Sequence, residues 1–282
     1  MAPHSICRRR WAVLSVAFVG ATGITVAGCG LGPTTEVPPP PAPAVVEAVA
    51  PRVEVRGACL DSTDSMPRAL VDGAVEALAS LVEGWAPRES NYMAGARPWP
   101  GLDLSVRKVL GESSLVAEGE LVHVSIPGVP GVMAKPLATD PNFITASAAW
   151  RMQAGAATAA AATARAETAR FSEAIRTADW SSTSSEISGC VVALGLTQRG
   201  PDARYLVVSD LDQTDPPQTA IGKLGGAEIL VVHACADAEV CAAQQADWRR
   251  TIADLGGGPV DFSRPERLDQ DVPGWLGPRG EP

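Results

Sequence analysis

The stretch of sequence that decides the fold covers residues 53–66 and reads Val53-Glu54-Val55-Arg56-Gly57-Ala58-Cys59-Leu60-Asp61-Ser62-Thr63-Asp64-Ser65-Met66. Its first half alternates valine with polar residues and then becomes continuously apolar, which predicts a buried strand. Its second half consists of short polar residues of the kind that form turns. After Pro67, apolar residues recur at helical spacing as far as Gly84, and Ser65 is a candidate cap. The stretch therefore predicts a strand, a polar loop and a helix in direct succession.

The same alternation of strands and helices continues along the chain. Strands are predicted at 102–110, 121–126, 205–209, 229–233 and 260–262, and helices at 145–178, 186–196 and 238–255. Thr183 stands three residues before Glu186, a spacing typical of a capping box. Two strands are short continuous apolar runs, which favours burial on both faces. The sequence therefore predicts an α/β fold with a doubly wound, mostly parallel, Rossmann-like sheet, helices on both faces, and a long alanine-rich helix.

Polar residues follow two of these strands directly. Asp61, Thr63 and Ser65 occupy alternate positions after the first strand, and Asp210 follows the strand at 205–209. In open α/β sheets, ligands bind beyond the carboxyl ends of the strands, where the strand order reverses. One carboxylate and two hydroxyls supply oxygen ligands, which suit Mg²⁺ or Mn²⁺. The sequence therefore predicts a divalent metal site at this edge of the sheet.

The loop after the first strand also carries a resemblance to a known family. The pattern Asp61-x-Thr63-x-Ser65, followed by Met66 and a helix, resembles the metal-ion-dependent adhesion site of von Willebrand factor type A domains. That family usually has serine where this chain has Thr63. The resemblance implies a type A-like domain at residues 52–265, with a long alanine-rich helix as a departure from the family.

The same resemblance implies further metal ligands and a partner. In the family, an aspartate after the fourth strand and a threonine before a later helix complete the site. Asp210 matches the aspartate, while Ser185 has the spacing of the threonine and Thr183 has its residue type, so both stay candidates. Such a domain binds a protein partner whose acidic side chain completes the coordination of the metal.

One alternative to a metal site follows from the same residues. Asp61, Thr63 and Ser65 could merely satisfy the backbone of a turn and cap the following helix. The protein would then be a metal-free structural or solute-binding protein. A solute receptor usually encloses its ligand between two lobes, whereas this chain predicts one domain.

An enzyme is the remaining alternative. The sequence Asp210-Leu211-Asp212-Gln213-Thr214 resembles the DxDxT motif of Mg²⁺-dependent phosphatases of the haloacid dehalogenase type. That motif normally opens its domain, but here it stands near the end. Lys223, Asp269 and Asp271 would have to supply the remaining catalytic groups, and the last two lie in an apparent tail. We therefore expect no enzymatic activity.

The first 51 residues read as an export signal and a spacer. Residues 1–28 contain the basic cluster Arg8–Arg10 and a diluted apolar run, a pattern typical of a signal peptide rather than a transmembrane anchor. Val26-Ala27-Gly28-Cys29 resembles the lipobox of bacterial lipoproteins, which implies that Cys29 becomes the first residue and carries a diacylglycerol, with at least two acyl chains such as palmitate. Residues 29–51 are proline-rich and predict an extended linker. We expect a lipid-anchored protein on the extracellular face of the cell membrane.

Charge and cysteine content narrow the range of expected partners, disulfides and metals. The chain has a net charge of -9, and removal of the basic leader makes it more negative, so nucleic acid is not an expected partner. An oxidising compartment favours disulfides, and Cys235 and Cys241 are close enough in sequence to form a local one. Cys59 and Cys190 either pair or are separate buried thiols. With neither a CxxC motif nor a Cys/His signature, a structural zinc is not expected, and residues 266–282 read as a flexible tail.

Overall fold

A computed structural model describes residues 50–93, 97–110, 119–198, 202–213 and 224–278. The predicted signal peptide, Cys29 and the linker up to residue 49 lie outside these ranges. Across the described residues, no helix has both the length and the apolar character needed to cross a bilayer.

The strands and helices that the sequence predicts are present in the same order, and the described chain has two further short helices that the sequence does not predict. The strands are β1 (Val53–Leu60), β2 (Gly101–Lys108), β3 (Glu120–Ile126), β4 (Arg204–Ser209), β5 (Glu228–His233) and β6 (Val260–Ser263). The helices are α1 (Arg68–Gly84), α2 (Glu89–Tyr92), α3 (Phe143–Thr177), α4 (Ile187–Thr197), α5 (Ala238–Asp254) and α6 (Leu268–Leu276). A 3-10 turn (Pro265–Arg267) precedes α6.

The strands form a six-stranded sheet in the order β3-β2-β1-β4-β5-β6. All neighbouring pairs are parallel except β2 with β3, which is antiparallel. The strand order reverses between β1 and β4, which lie side by side with Leu60 opposite Val208. This arrangement confirms the predicted α/β fold with a mostly parallel sheet, and it brings the loops after β1 and β4 to the same edge.

Helices cover both faces of the sheet because successive strand residues point to opposite sides. Ala58 and Leu60 of β1 belong to a core cluster with α1, α3 and α6, whereas Cys59 belongs to a second cluster with α4 and α5. Cys59 forms a disulfide with Cys190 of α4, so the two alternatives for these cysteines are resolved in favour of pairing. The predicted Cys235–Cys241 bond is also present.

The alanine-rich segment forms one helix of 35 residues, α3, that packs against α1 and β3. Its buried side contains small residues, Ala157, Ala161 and Ala164, so the helix axis can approach the sheet and α1 closely. Near its C-terminus, Arg176 donates hydrogen bonds to Glu76 and Glu83 of α1 at distances of 2.6–2.9 Å. These hydrogen-bonded ion pairs therefore hold the C-terminal end of α3 against α1.

The prediction of a flexible tail at residues 266–282 is wrong for the described part of that segment. Residues 268–276 form α6, and Leu268, Val272 and Leu276 are buried on the side that packs against α1. Arg56 Nε donates to the carbonyl of Leu276 at 2.9 Å, and Arg204 Nη1 donates to that of Trp275 at 2.7 Å. Proline and glycine within the segment suggested a loop, but three apolar residues at helical spacing outweigh them.

Candidate metal site at the carboxyl edge of the sheet

Asp61 is placed by the continuation of the β1–β4 pairing beyond the end of β1. Its backbone N–H donates to the carbonyl oxygen of Val208 at 2.9 Å, which fixes the residue beside the end of β4. The side chain is fully buried, with 0% exposure. A buried carboxylate is costly unless hydrogen bonds or a cation compensate it, so its surroundings decide what this edge of the sheet can do.

Hydroxyl groups from three parts of the chain surround the Asp61 carboxylate. Its Oδ1 accepts hydrogen bonds from the Thr63 N–H at 3.2 Å and from Thr63 Oγ1 at 2.9 Å. Its Oδ2 accepts from Ser185 Oγ and from Ser209 Oγ, each at 2.9 Å. The loop after β1, the loop before α4 and the end of β4 therefore converge on one carboxylate.

Ser65 does not act as the predicted helix cap. The residue at the N-cap of α1 is Pro67, and no side chain caps that helix. The Ser65 hydroxyl instead lies 3.1 Å from Thr63 Oγ1, on the exposed side of the cluster. Adjacent ligands of an octahedral Mg²⁺ are about 3 Å apart, since each lies about 2.1 Å from the ion. The Thr63–Ser65 spacing therefore fits two neighbouring positions of such an ion.

Ser185, and not Thr183, is the residue of its loop that bonds to Asp61. Ser185 is buried and donates to the carboxylate, whereas Thr183 is exposed. The predicted capping box is wrong: the N-cap residue of α4 is Glu186, and no side chain caps this helix. The distance in sequence to the start of α4, which favoured Ser185, therefore identified the residue beside Asp61 better than the residue type, which favoured Thr183.

Asp210 lies at the same edge as Asp61 without a direct hydrogen bond between the two side chains. Its Oδ1 accepts from the Asp212 N–H at 3.0 Å, and its carbonyl oxygen lies 3.2 Å from His233 Nε2. The next residue, Leu211, has a φ of 62°, an uncommon value for a bulky side chain. Asp210 therefore sits in a bent, hydrogen-bonded turn beside the cluster.

Ser209 belongs to the cluster, although it was not among the site residues predicted from the sequence. Its hydroxyl donates to Asp61 and also accepts from the Leu211 N–H at 2.9 Å. It is the last residue of β4, directly before Asp210, and β4 is the parallel neighbour of β1. That position is the signal that could have identified it, once the strand order was known.

The donor set fits a hard divalent cation. Carboxylate and hydroxyl oxygens are the ligands that Mg²⁺ and Mn²⁺ prefer, and Mg²⁺ accepts few carboxylates while keeping several waters. Among the described residues, no basic side chain forms an ion pair with Asp61. A cation held by Thr63 and Ser65 next to this buried carboxylate would supply the missing positive charge.

A cleft of about 460 Å³ adjoins the exposed side of the cluster, between α1 and the loop that follows α3. Thr63 and Asp64 line it on one side, and Trp180 and Asp179 on the other. The Ser62 hydroxyl donates to the carbonyl of Trp180, which ties the two walls together. Hydrogen bonds from the Ser181 hydroxyl and N–H lower the pKa of Asp179 and keep it ionised. The candidate site therefore opens onto a polar cleft.

The residues of the phosphatase alternative are only partly described. Thr214 and Lys223 lie outside the described ranges. Asp271 lies in α6, where its carboxylate accepts hydrogen bonds from Ser263 and Arg267 at 2.6 and 2.9 Å.

Fold and cluster together define a doubly wound α/β protein with a hydroxyl-ringed carboxylate at the point where the strand order reverses. No protein-family model matches the chain, and no curated protein matches it either. Among solved structures it is similar to the human COPII-coat protein Sec24c, with a TM-score of 0.33 and 12% sequence identity. The match covers 79% of this chain and 33% of that chain, so this chain spans about a third of that protein.

Proposed function

We propose that this protein is a lipid-anchored cell-surface protein whose type A-like domain binds a partner through a divalent cation. Asp61, Thr63, Ser65, Ser185 and Asp210 surround the proposed Mg²⁺ or Mn²⁺ site. The partner is a protein that contributes an acidic side chain to an open coordination position. Attachment is through lipid on Cys29, at the extracellular face of the cell membrane.

The observation that carries the proposal is the buried Asp61 carboxylate inside a ring of hydroxyls. Three hydroxyl groups donate to it, and a fourth, that of Ser65, lies 3.1 Å from one of these. A helix cap would need only one side chain and would place it at the helix N-terminus. Convergence of three chain segments on one carboxylate is better explained by a shared ligand than by the needs of a turn.

The candidate site lies at the opposite end of β1 from the residue where the predicted linker joins the strand. The linker enters at Val53, at the start of β1, and the candidate site follows Leu60, at its end. Eight residues of strand, at about 3.3 Å each, separate the two edges of the sheet by about 26 Å. At the site end of the strand, Thr63 is half-buried and Ser65 is exposed, so both hydroxyls are open to a protein partner.

Thermal unfolding in the presence of Mg²⁺ or Mn²⁺ tests the metal site. A ligand that binds only the folded state stabilises it, by about 2.7 kcal/mol at roughly 100 times its Kd. We expect Asp61→Asn to abolish the rise in melting temperature. Asp64→Asn is the matched control, because it makes the same change at an exposed carboxylate three residues away that accepts no hydrogen bond within the cluster. An equal response of both variants contradicts the proposal.

Metabolic labelling with palmitate tests the anchor separately. We expect the full chain to incorporate the label and Cys29→Ser to lose it, since the thioether to the lipid forms on that sulfur. Retention of label in the Cys29→Ser chain would overturn the anchor and leave the metal site untouched.

A further inference from the structure

A second cluster of metal-ligating side chains lies at the carboxyl end of β5. One ring nitrogen of His233 and the sulfur atoms of Cys235 and Cys241 all lie within 4.8 Å of one another. The sequence did not predict this cluster, because the spacing of the three residues resembles no common zinc motif. A cavity of about 790 Å³, also lined by Arg249 and Asp261, opens onto the three side chains.

His233 is oriented as metal-binding histidines are. The residue is 4% exposed, and Nε2 lies 3.2 Å from the carbonyl oxygen of Asp210 and 3.1 Å from Gln244 Oε1. A carbonyl oxygen only accepts hydrogen bonds, so Nε2 carries the proton in the neutral ring. Nδ1 then keeps its lone pair and accepts a hydrogen bond from Gln245 Nε2 at 3.3 Å. Metal-binding histidines usually donate one ring N–H to a carbonyl or carboxylate in this way, and Nδ1 can bind a cation once the Gln245 side-chain amide moves away.

The two disulfides of the domain differ in access to solvent. Cys59 and Cys190 are both 0% exposed and join β1 to α4 through the core. Cys235 and Cys241 are half-buried, lie six residues apart, and line the open cavity. Because thiol–disulfide exchange requires a thiolate to reach a sulfur atom, a reductant meets the second bond in the folded protein and the first only after unfolding.

We propose that Cys235, Cys241 and His233 form a thiol-gated site for a d¹⁰ cation such as Zn²⁺. In the oxidised protein the two sulfurs are bonded to each other and the site is closed. A protein dithiol reduces the bond by exchange, giving two thiols here and a disulfide in the reductant. Zn²⁺ then binds the two thiolates and Nδ1 with release of two protons, and a water molecule or an acidic side chain of the cavity takes the fourth position.

This site is independent of the proposed Mg²⁺ site, because the two offer different ligand atoms. Thiolate and imidazole favour Zn²⁺, while the hydroxyls around Asp61 favour harder cations. One contact links the two sites, because His233 Nε2 lies 3.2 Å from the carbonyl oxygen of Asp210. Failure of either proposal leaves the other standing.

The test uses the full chain with Cys7→Ser and Cys29→Ser, so that only the four domain cysteines remain. The protein is treated with a phosphine reductant under native conditions, freed of it anaerobically, and titrated with Zn²⁺ and with Co²⁺ in excess Mg²⁺. We expect two free thiols, one equivalent of bound Zn²⁺, and thiolate-to-cobalt absorption, with neither metal bound before reduction. His233→Gln is expected to weaken Zn²⁺ binding by at least about tenfold, with both thiols still present.

A Cys235→Ser, Cys241→Ser double variant, whose folding is checked by circular dichroism, controls for other sites. The proposal is overturned if the reduced protein binds Zn²⁺ no better than this double variant, or if His233→Gln binds as tightly as the parent. It is also overturned if native reduction leaves the Cys235–Cys241 bond intact.

Discussion

Ser185 and Ser209 share one oxygen of the Asp61 carboxylate, and each hydroxyl reaches it from a different segment of the chain. Such a bond to a buried charged group contributes more than an ordinary one, since its loss leaves part of the charge unsatisfied. At the scale of single residues, the proposed site thus depends on Ser185 and Ser209 as much as on the residues of the Asp61-x-Thr63-x-Ser65 pattern.

Replacing Ser185 by alanine should lower the free energy of unfolding by about 1–3 kcal/mol and weaken the response to Mg²⁺. Thr183→Ala, two residues away and exposed, should change stability by less than about 0.5 kcal/mol and leave the response intact. Urea unfolding with and without Mg²⁺ measures both quantities. Equal effects of the two variants would show that the Ser185 hydroxyl has no special role.

Much of this cluster was predictable from the sequence, because it depends on where strands end. Asp61, Thr63 and Ser65 follow β1 directly, and Asp210 follows β4, so the rule for parallel sheets brings both loops to one edge. Ser209 and His233 were missed. Their contacts depend on the order of β1, β4 and β5 in the sheet and on side-chain direction, which a single sequence does not determine.

Arg176 joins two helices that meet on one face of the sheet. Its hydrogen bonds lower the pKa values of Glu76 and Glu83 below the ordinary value of 4.5. A lowered carboxyl pKa stabilises the folded state above pH 4.5, and this contribution is lost as the pH falls through the folded-state pKa. The link between α1 and α3 is therefore expected to weaken in acid.

Arg176→Gln should lower the melting temperature at neutral pH, and the difference from the parent should close as the pH falls well below 4.5. Arg170→Gln is the matched control, since Arg170 forms its ion pair with Glu167 of its own helix. Thermal unfolding across an acid series measures the effect. A difference that stays constant down to low pH would contradict a role for the two carboxylates.

Helix α6 packs on the same face of the sheet as α1 and α3, although its composition suggested a flexible tail. Leu276→Ala should cost about 2–5 kcal/mol, because it empties a fully buried position. Gln270→Ala, on the exposed side of the same helix, should change stability by no more than about 0.5 kcal/mol. Guanidinium unfolding compares the two variants. An unchanged free energy of unfolding in Leu276→Ala would favour the predicted flexible tail.

The long helix α3 was predictable from the sequence, whereas the short last helix α6 was not. Alanine-rich periodicity over more than thirty residues leaves no competing structure for α3. In α6, Pro273 stands within nine residues of helix, and local propensity opposes the structure. Burial of three apolar side chains, and hydrogen bonds from Arg56 and Arg204 to the last carbonyls, decide it instead.

At the scale of the whole molecule, the disulfide from β1 to α4 constrains the unfolded chain most. It closes a loop of 131 residues, against 6 for Cys235–Cys241, and the chain-entropy model gives about 5 and about 2 kcal/mol respectively. The Cys59→Ala, Cys190→Ala variant should therefore lose more stability than Cys235→Ala, Cys241→Ala. Equilibrium unfolding of both variants checks the order, and the reverse order would contradict it.

The most direct test of the proposed metal site is calorimetric titration of the protein with Mg²⁺. Binding of one ion per chain in the parent, with loss of the heat in Asp61→Asn but not in Asp64→Asn, is the predicted result. Absence of binding by the folded parent, or the same binding by the Asp61→Asn variant, would show that the hydroxyl-ringed carboxylate is a structural turn and holds no cation.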